Sequence, residues 1–164
     1  MDDQPRDGGV MARMPLQPSD VPAGVAALVA SRRNAVLATT KRDGRPQLSV
    51  VTYAWYPNDD GRAVVRISTT DGRAKVANLR RDPRASLVVT DDSGWSYAVL
   101  EGDVGLSRTA ADEHDDVVDE LVRVYRDASG SEHPDWDEYR RAMVDDRRLV
   151  VRLVVSHVYG TVRG

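Results

Sequence analysis

Apolar and polar positions alternate along most of this chain with the period of two that marks strands, and a few stretches switch to the helical period. The first β-type run covers residues 34–40 (Ala35, Val36, Leu37, Ala38, Thr39). It ends in Lys41-Arg42-Asp43-Gly44-Arg45, where Asp-Gly between two such runs signals a hairpin. The second strand is expected over residues 46–56 with packable side chains on both faces, which places it between two layers. A turn at Asn58-Asp59-Asp60-Gly61 leads into a third strand over residues 63–68. A fourth follows over residues 85–90, then a turn at Asp91-Asp92-Ser93-Gly94. The fifth strand runs from Trp95 to about Leu106, and its Gly102 and Gly105 suggest bulges or a sharp bend. The last, over residues 148–159, is the richest in valine.

The helical period appears in four places. Ser19-Asp20 caps a short helix with Pro22 in its first turn and Val25, Leu28 and Val29 on one face. A short basic helix follows the third strand and stops at Pro83. Thr109 with Asp112 marks another helix start, ahead of a stripe of Val117, Leu121 and Val124 with Val118, Val122 and Tyr125. Residues 135–144 form a further helix with Trp136, Tyr139 and Met143 on one side. The sum is a mainly β protein: a six-stranded antiparallel barrel with appended helices and no βαβ alternation. Residues 1–18, which show no apolar period, are expected to be a disordered tail, and residues 19–164 one domain.

The stretch 68–83 stands out chemically. It reads as a strand end, a hydroxyl-rich turn (Ser68-Thr69-Thr70) and a helix that opens with Arg73 and Lys75. Hydroxyls, free N–H groups and the positive dipole end meet there, an arrangement suited to a phosphate. The competing reading is a solvated surface helix. Against it, each cation at the helix N-terminus opposes the dipole by roughly 0.3–1 kcal/mol, a cost that a bound anion offsets. Arg80 and Arg81, at the other end, are favourable without a ligand. Asn78 lies one turn after Ala74 and Lys75, on a face that could point toward a ligand, although a surface Asn is the commoner case.

Composition narrows the field. The 164 residues suit one domain, and the absence of cysteine excludes disulfides, thiolate metal sites and cysteine nucleophiles. His114, His133 and His157 lack metal-ligand spacing. No apolar run approaches the roughly 20 residues of a membrane span, and no signal pattern opens the chain, so a cytoplasmic protein is expected. The net charge of −3 conceals an asymmetry: residues 61–84 hold seven basic side chains against Asp71 and Asp82, and residues 109–146 hold thirteen acidic ones against four arginines. An anion would be steered to the first region. There is no G-x-G-x-x-G, P-loop, G-x-S-x-G or H-E-x-x-H motif, and no aromatic-basic platform for nucleic acid. Trp95 reads either as ordinary packing or as a wall for a flat ring.

Several of these segments together, over residues 31–160, resemble a known family. They are Asn34-Ala35-Val36-Leu37-Ala38-Thr39, Asp43-Gly44-Arg45-Pro46-Gln47-Leu48-Ser49, Arg73-Ala74-Lys75 with Asn78-Leu79-Arg80-Arg81-Asp82-Pro83-Arg84, Gly94-Trp95-Ser96-Tyr97 and Ser156-His157-Val158-Tyr159-Gly160. The resemblance is to the split β-barrel flavin and deazaflavin proteins of the pyridoxamine-5'-phosphate-oxidase-like class, in the branch of coenzyme F420-dependent reductases. It implies a homodimer of split barrels with cofactor sites at the subunit interface. Ser68, Arg73 and Lys75 would hold the tail phosphate, the ring would lie along Gln47, Leu48, Ser49 and Val50, Asn78 would add a polar contact, and Gly94, Trp95 and Ser96 would complete the pocket. The implied activity is hydride transfer between reduced F420 and a planar organic acceptor. The alternatives are an FMN-dependent oxidase or reductase on the same barrel, and a non-catalytic F420 carrier. No side chain is assigned as a covalent catalyst.

Overall fold

The computed structural model describes residues 13–163. A turn of 3₁₀ helix at Pro18–Asp20 precedes α1 (Ala23–Ser31) and the strands β1 (Asn34–Thr40), β2 (Pro46–Thr52), β3 (Ala54–Asp59) and β4 (Arg62–Thr70). Then come α2 (Ala74–Arg81), β5 (Arg84–Thr90), β6 (Tyr97–Leu106), α3 (Asp116–Ser129), α4 (Trp136–Asp145) and β7 (Arg148–Thr161). The strands form one antiparallel sheet in the order β2-β1-β5-β6-β7-β4-β3. Strands from both ends of that order contribute to a single apolar cluster: Val51 from β2 shares it with Val65 and Ile67 from β4, alongside Leu37, Leu87, Leu100 and Leu153. Edges that share a core must curve toward each other, so the sheet wraps around its inward side chains. Among the described residues no helix is long and apolar enough to cross a membrane.

The described residues form seven strands where the sequence pattern suggested six, because the run expected over 46–56 breaks at Tyr53. That side chain is buried, its hydroxyl donates to the Val29 carbonyl at 2.6 Å, and its N–H donates to the Arg33 carbonyl at 2.9 Å. Pinned to the end of α1, the chain leaves β1 and continues as β3 beside β4. Alternation carries no signal for such a change of partner, since both halves are extended.

Other boundaries move for local reasons. Helix α3 begins at Asp116 rather than near Thr109, because Asp115 is the residue whose carboxylate accepts from the Val118 N–H (2.8 Å) and also from Ala111 and Asp112. Trp95 lies outside β6, in the turn closed by the Asp91 N–H on the Ser96 carbonyl. Of the tail expected over 1–18, residues 1–12 lie outside the described residues. Leu16 exchanges backbone hydrogen bonds with Val155 and Ala63 and packs on the barrel core. The bulge expected at Gly102 is present, as the β6–β7 register shifts between Glu101 and Gly102. A Cβ there would stand 1.9 Å from the Val154 carbonyl oxygen.

A second apolar cluster belongs to the α3–α4 hairpin: Val117, Val118, Leu121, Val124, Tyr139 and Met143 pack with Ala54 of β3 and Val150 of β7. Below α3, Arg66 pairs with Asp59 at 2.6 Å and with Glu120 at 3.0 Å, and Glu120 also holds Arg152. The hairpin thus caps the outer face of β3, β4 and β7. Where β4 hands over to α2, Asp71 accepts from Arg80 (2.9 Å), Arg147 (3.3 Å) and Thr109 (3.0 Å), which fixes the angle of the helix.

Two outcomes follow. Gly102→Ala forces the β6–β7 pair apart and is expected to destabilise the fold by about 1–3 kcal/mol or more, read as a lowered urea midpoint. The hydrogen bonds from Arg80 and Thr109 hold the Asp71 carboxyl down at about 2, below its ordinary value of about 3.9. A depressed carboxylate contributes stability above its unfolded pKa and loses it as pH falls toward the folded one. Urea midpoints should therefore drop between about pH 4 and pH 2, and Asp71→Asn should flatten that part of the profile.

Candidate functional site

The corner from β4 to α2 is electrically unbalanced. Gly72, at φ 88°, lets the chain turn sharply out of the strand, and Arg73 becomes the N-cap of α2 without offering a capping side chain. The first turn of α2 contains no acid. The helix start therefore combines uncapped N–H groups, a positive dipole end and the cations Arg73 and Lys75.

This corner forms the floor of an open cleft of ≈ 750 Å³. Ser68, Thr69 and Thr70 line it from β4, and Val50, Val51 and Thr52 from β2. Arg148 joins from the start of β7, where it stands opposite Thr70 in the ladder, and Arg33 and Asn34 stand at the start of β1. The lining includes four cations (Arg33, Arg73, Lys75 and Arg148) and no Asp or Glu. Among the described residues Arg148 Nε has no hydrogen-bond partner, and its nearest counter-charge is the Asp146 carboxylate, paired with it at 3.9 Å. Burial, followed by the positive fields of Arg73 and Arg148, pulls the Lys75 ammonium below the usual lysine range. Positive charge is thus gathered in a cleft whose lining holds no acid, with Asp146 beside Arg148 as its nearest counter-charge.

A larger hollow of ≈ 950 Å³ lies over β1, β5 and β6, and both cations of its lining are paired, Arg13 with Glu101 at 3.0 Å and Arg84 with Asp82 at 2.8 Å, with Asp103 as a further acid. It shows no comparable excess of positive charge.

The structure brings Val50, Ser68, Arg73 and Lys75 into the cleft. Leu48 shares the outward face of β2 with Val50, both largely exposed, while Gln47 and Ser49 turn to the other face. Gln47 accepts from the Asn78 amide at 2.9 Å, and the same amide donates to Thr39 at 3.1 Å. Asn78 is buried, so its polar atoms stitch α2 to β1 and β2 and do not face the cleft. Gly94, Trp95 and Ser96 lie in the β5–β6 turn, away from this chain's cleft. Ser96 is buried and accepts from the Arg163 N–H, and Trp95 is 67% exposed with the Arg163 guanidinium over its ring.

Sequence reasoning missed Arg33 and Arg148, as well as the far wall made by Val124, Tyr125, Ala128, Ser129, Tyr139 and Met143 of the α3–α4 hairpin. The Arg148–Thr70 pairing depends on strand order and has no local signal. The hairpin's stripe was visible, but not which side of it would border a cleft.

A family model described as pyridoxamine 5'-phosphate oxidase matches residues 21–161. Among solved structures, a conserved hypothetical protein of Mycobacterium tuberculosis is 25% identical, with a TM-score of 0.65 over 85% of this chain and 83% of that one. A protein named F420 reductase is 22% identical (TM-score 0.59, 85% of this chain and 98% of that one). An FAD-binding protein of Mesorhizobium loti is 17% identical (TM-score 0.56, 85% and 94%). These likenesses show a common mainly β fold of the split-barrel class. With the family match spanning nearly all of the barrel and both of its helical additions, the chain belongs to the pyridoxamine 5'-phosphate oxidase family.

Proposed function

We propose that this protein is an oxidoreductase that uses coenzyme F420, moving a hydride from the reduced deazaflavin to a planar organic acceptor. The observation that carries the reading is the uncompensated cation cluster at the start of α2, backed by the hydroxyls of Ser68 and Thr70. A phosphate monoester or diester fits that donor set: it supplies the missing negative charge, accepts from the uncapped N–H groups and gives Arg148 Nε a partner. The likeness to a protein named F420 reductase supports the choice of cofactor, and the likeness to an FAD-binding protein supports FMN as the second reading.

In this reading Arg73, Lys75 and Arg148 hold the phosphate, while Ser68 and Thr70 orient its oxygens. The outward face of β2, with Leu48 and Val50, offers an apolar bed for the ring. When bound, the deazaflavin supplies the hydride, and this chain's residues anchor it, orient it and keep water from the transfer. Leu48 and Val50 are 65% and 79% exposed, which leaves the bed uncovered on the side facing away from the barrel. A second copy would cover it. The β5–β6 turn, with Gly94 and Trp95 exposed above the buried Ser96, is remote from its own chain's cleft, and we assign it to the partner's pocket, so the working unit is a homodimer with two sites. No side chain in the cleft is positioned as a covalent nucleophile, and the protein's task is binding and alignment.

Titration of the purified protein with F420 and with FMN, followed by fluorescence, tests the cofactor. Micromolar binding of F420 is expected, and tight FMN binding with none of F420 would overturn the choice. Oxidation of reduced F420 with a panel of quinones and enones separates a reductase from a carrier. Lys75→Ala removes one charge-assisted hydrogen bond and should weaken cofactor binding by about 1.5–3 kcal/mol with the melting temperature little changed. Lys75 titrates below the usual lysine range in the free protein, and a bound anion would raise it. Affinity should then fall as pH rises through the free-state titration, and in Lys75→Ala that alkaline decline should be lost.

A further inference from the structure

Three of the cleft's four cations come from two separate places in the chain. Arg73 and Lys75 belong to the start of α2, and Arg148 to the start of β7. Burial and then the fields of Arg73 and Arg148 depress the Lys75 ammonium, so the three stand close enough to repel one another. The lining holds no acid to draw them together, and Asp146 is paired with Arg148 and not with the other two. Whatever keeps them around one anion-sized spot acts from behind the lining.

Asp71 is placed to do this. It follows the last residue of β4, its side chain is largely buried, and its two carboxylate oxygens are divided between the two elements. On the α2 side, Oδ1 accepts from the Gly72 N–H at 2.8 Å and pairs with Arg80 at 2.9 Å. On the β7 side, Oδ2 accepts from the Thr109 hydroxyl at 3.0 Å and from Arg147 at 3.3 Å. Thr109 and Arg147 both lead to Arg148. Ala110, next to Thr109, donates its N–H to the Arg148 carbonyl at 2.7 Å, and the Arg147 carbonyl accepts from the Asp71 N–H at 2.9 Å.

Arg147 itself has φ 52°, a left-handed backbone that residues with a Cβ disfavour, at the corner between α4 and β7. Such a conformation persists where neighbours over-determine it, and here it fixes the direction in which Arg148 leaves the corner. Arg80 and Arg147 both stand outside the cleft's lining. The negative charge of Asp71 is therefore taken up by them, and the cleft keeps its positive excess.

We propose that Asp71 is the positioning residue of the anion anchor: its two oxygens set the distance between the start of α2 and the start of β7, so that Arg73, Lys75 and Arg148 converge on one anion. The proposal rests on the anion anchor assigned above and not on which cofactor occupies it.

The test uses the full-length protein with inorganic pyrophosphate as the probe, read by calorimetry. Asp71→Asn removes a negative charge from behind an anion site, and charge alone would tighten binding. Loss of positioning predicts the opposite sign, an affinity roughly tenfold lower. The comparison is made at a temperature where the variant is folded, since Asp71→Asn should also melt lower. Thr109→Val changes no charge and takes one donor from Oδ2, so it should weaken pyrophosphate by about threefold with the melting temperature little changed. Because both changes act on one carboxylate, the double variant should bind no more weakly than Asp71→Asn alone. Asp71→Asn that binds pyrophosphate as tightly as the parent, or more tightly, overturns the proposal. Should that variant not fold, unchanged binding in Thr109→Val overturns it, and a parent that binds no pyrophosphate overturns anchor and proposal together. If F420 and FMN both fail to bind while pyrophosphate binds the parent and binds the variants weakly, the cofactor assignment falls and the positioning role stands. If F420 and pyrophosphate bind the parent and both variants alike, the positioning role falls and the cofactor assignment stands.

Discussion

The strand β4 is buried on both faces, and most of this architecture depends on that constraint. Ala63, Val65 and Ile67 point into the barrel, while Val64 and Arg66 point toward the hairpin. A strand that serves two cores cannot slip by one residue without exchanging its apolar set for an arginine. Register is therefore held from both sides, and the three hydroxyls at its end, Ser68, Thr69 and Thr70, arrive beside β7 and the start of α2 in a fixed arrangement. Arg66 would be costly here without compensation. Asp59 and Glu120 supply it, and the same pairs bolt α3 to the sheet, so that a buried charge also orients the hairpin.

Charge needs to be read by position. The seven basic residues of 61–84 look in sequence like one anion-attracting block, but the fold scatters them. Arg66 is used under α3, Arg80 on Asp71, Arg84 on Asp82, and Arg81 donates to the Thr40 carbonyl. Arg73 and Lys75 are the two that face the cleft, where they are joined by Arg33 and Arg148 from outside the block. The case for a polyanionic cofactor cannot rest on the block as a whole. It rests on four cations without an acid among the cleft's lining residues.

What could be read from the chain alone follows the range of the interactions involved. The hairpin at Gly44, the bulge at Gly102 and the helix over Ala74–Arg81 depend on neighbouring residues and were legible. So was the meeting of Ser68, Arg73 and Lys75 in one cleft, because strand end, turn and helix start are contiguous. The break at Tyr53 was hidden, since it depends on a hydroxyl reaching a carbonyl 24 positions earlier. Asn78 shows the same limit from the other side: its position one turn into α2 suggested a ligand contact, but its partners Thr39 and Gln47 are strand residues that only the tertiary fold brings near.

The same distinction bears on how the site is assembled. Ser68, Arg73 and Lys75 occupy one short segment whose geometry is enforced by Asp71 and by β4, and Arg148 joins them through the β4–β7 ladder. The hairpin side is another matter. Tyr125, Trp136 and Tyr139 pack on one another, and Tyr125, Ser129 and the edges of the buried Ala128, Tyr139 and Met143 border the cleft. Cations and hairpin side chains thus line opposite sides of one cleft, and the hairpin is held to the sheet beneath it by Ala54, Val150 and the Arg66–Glu120–Arg152 pairs.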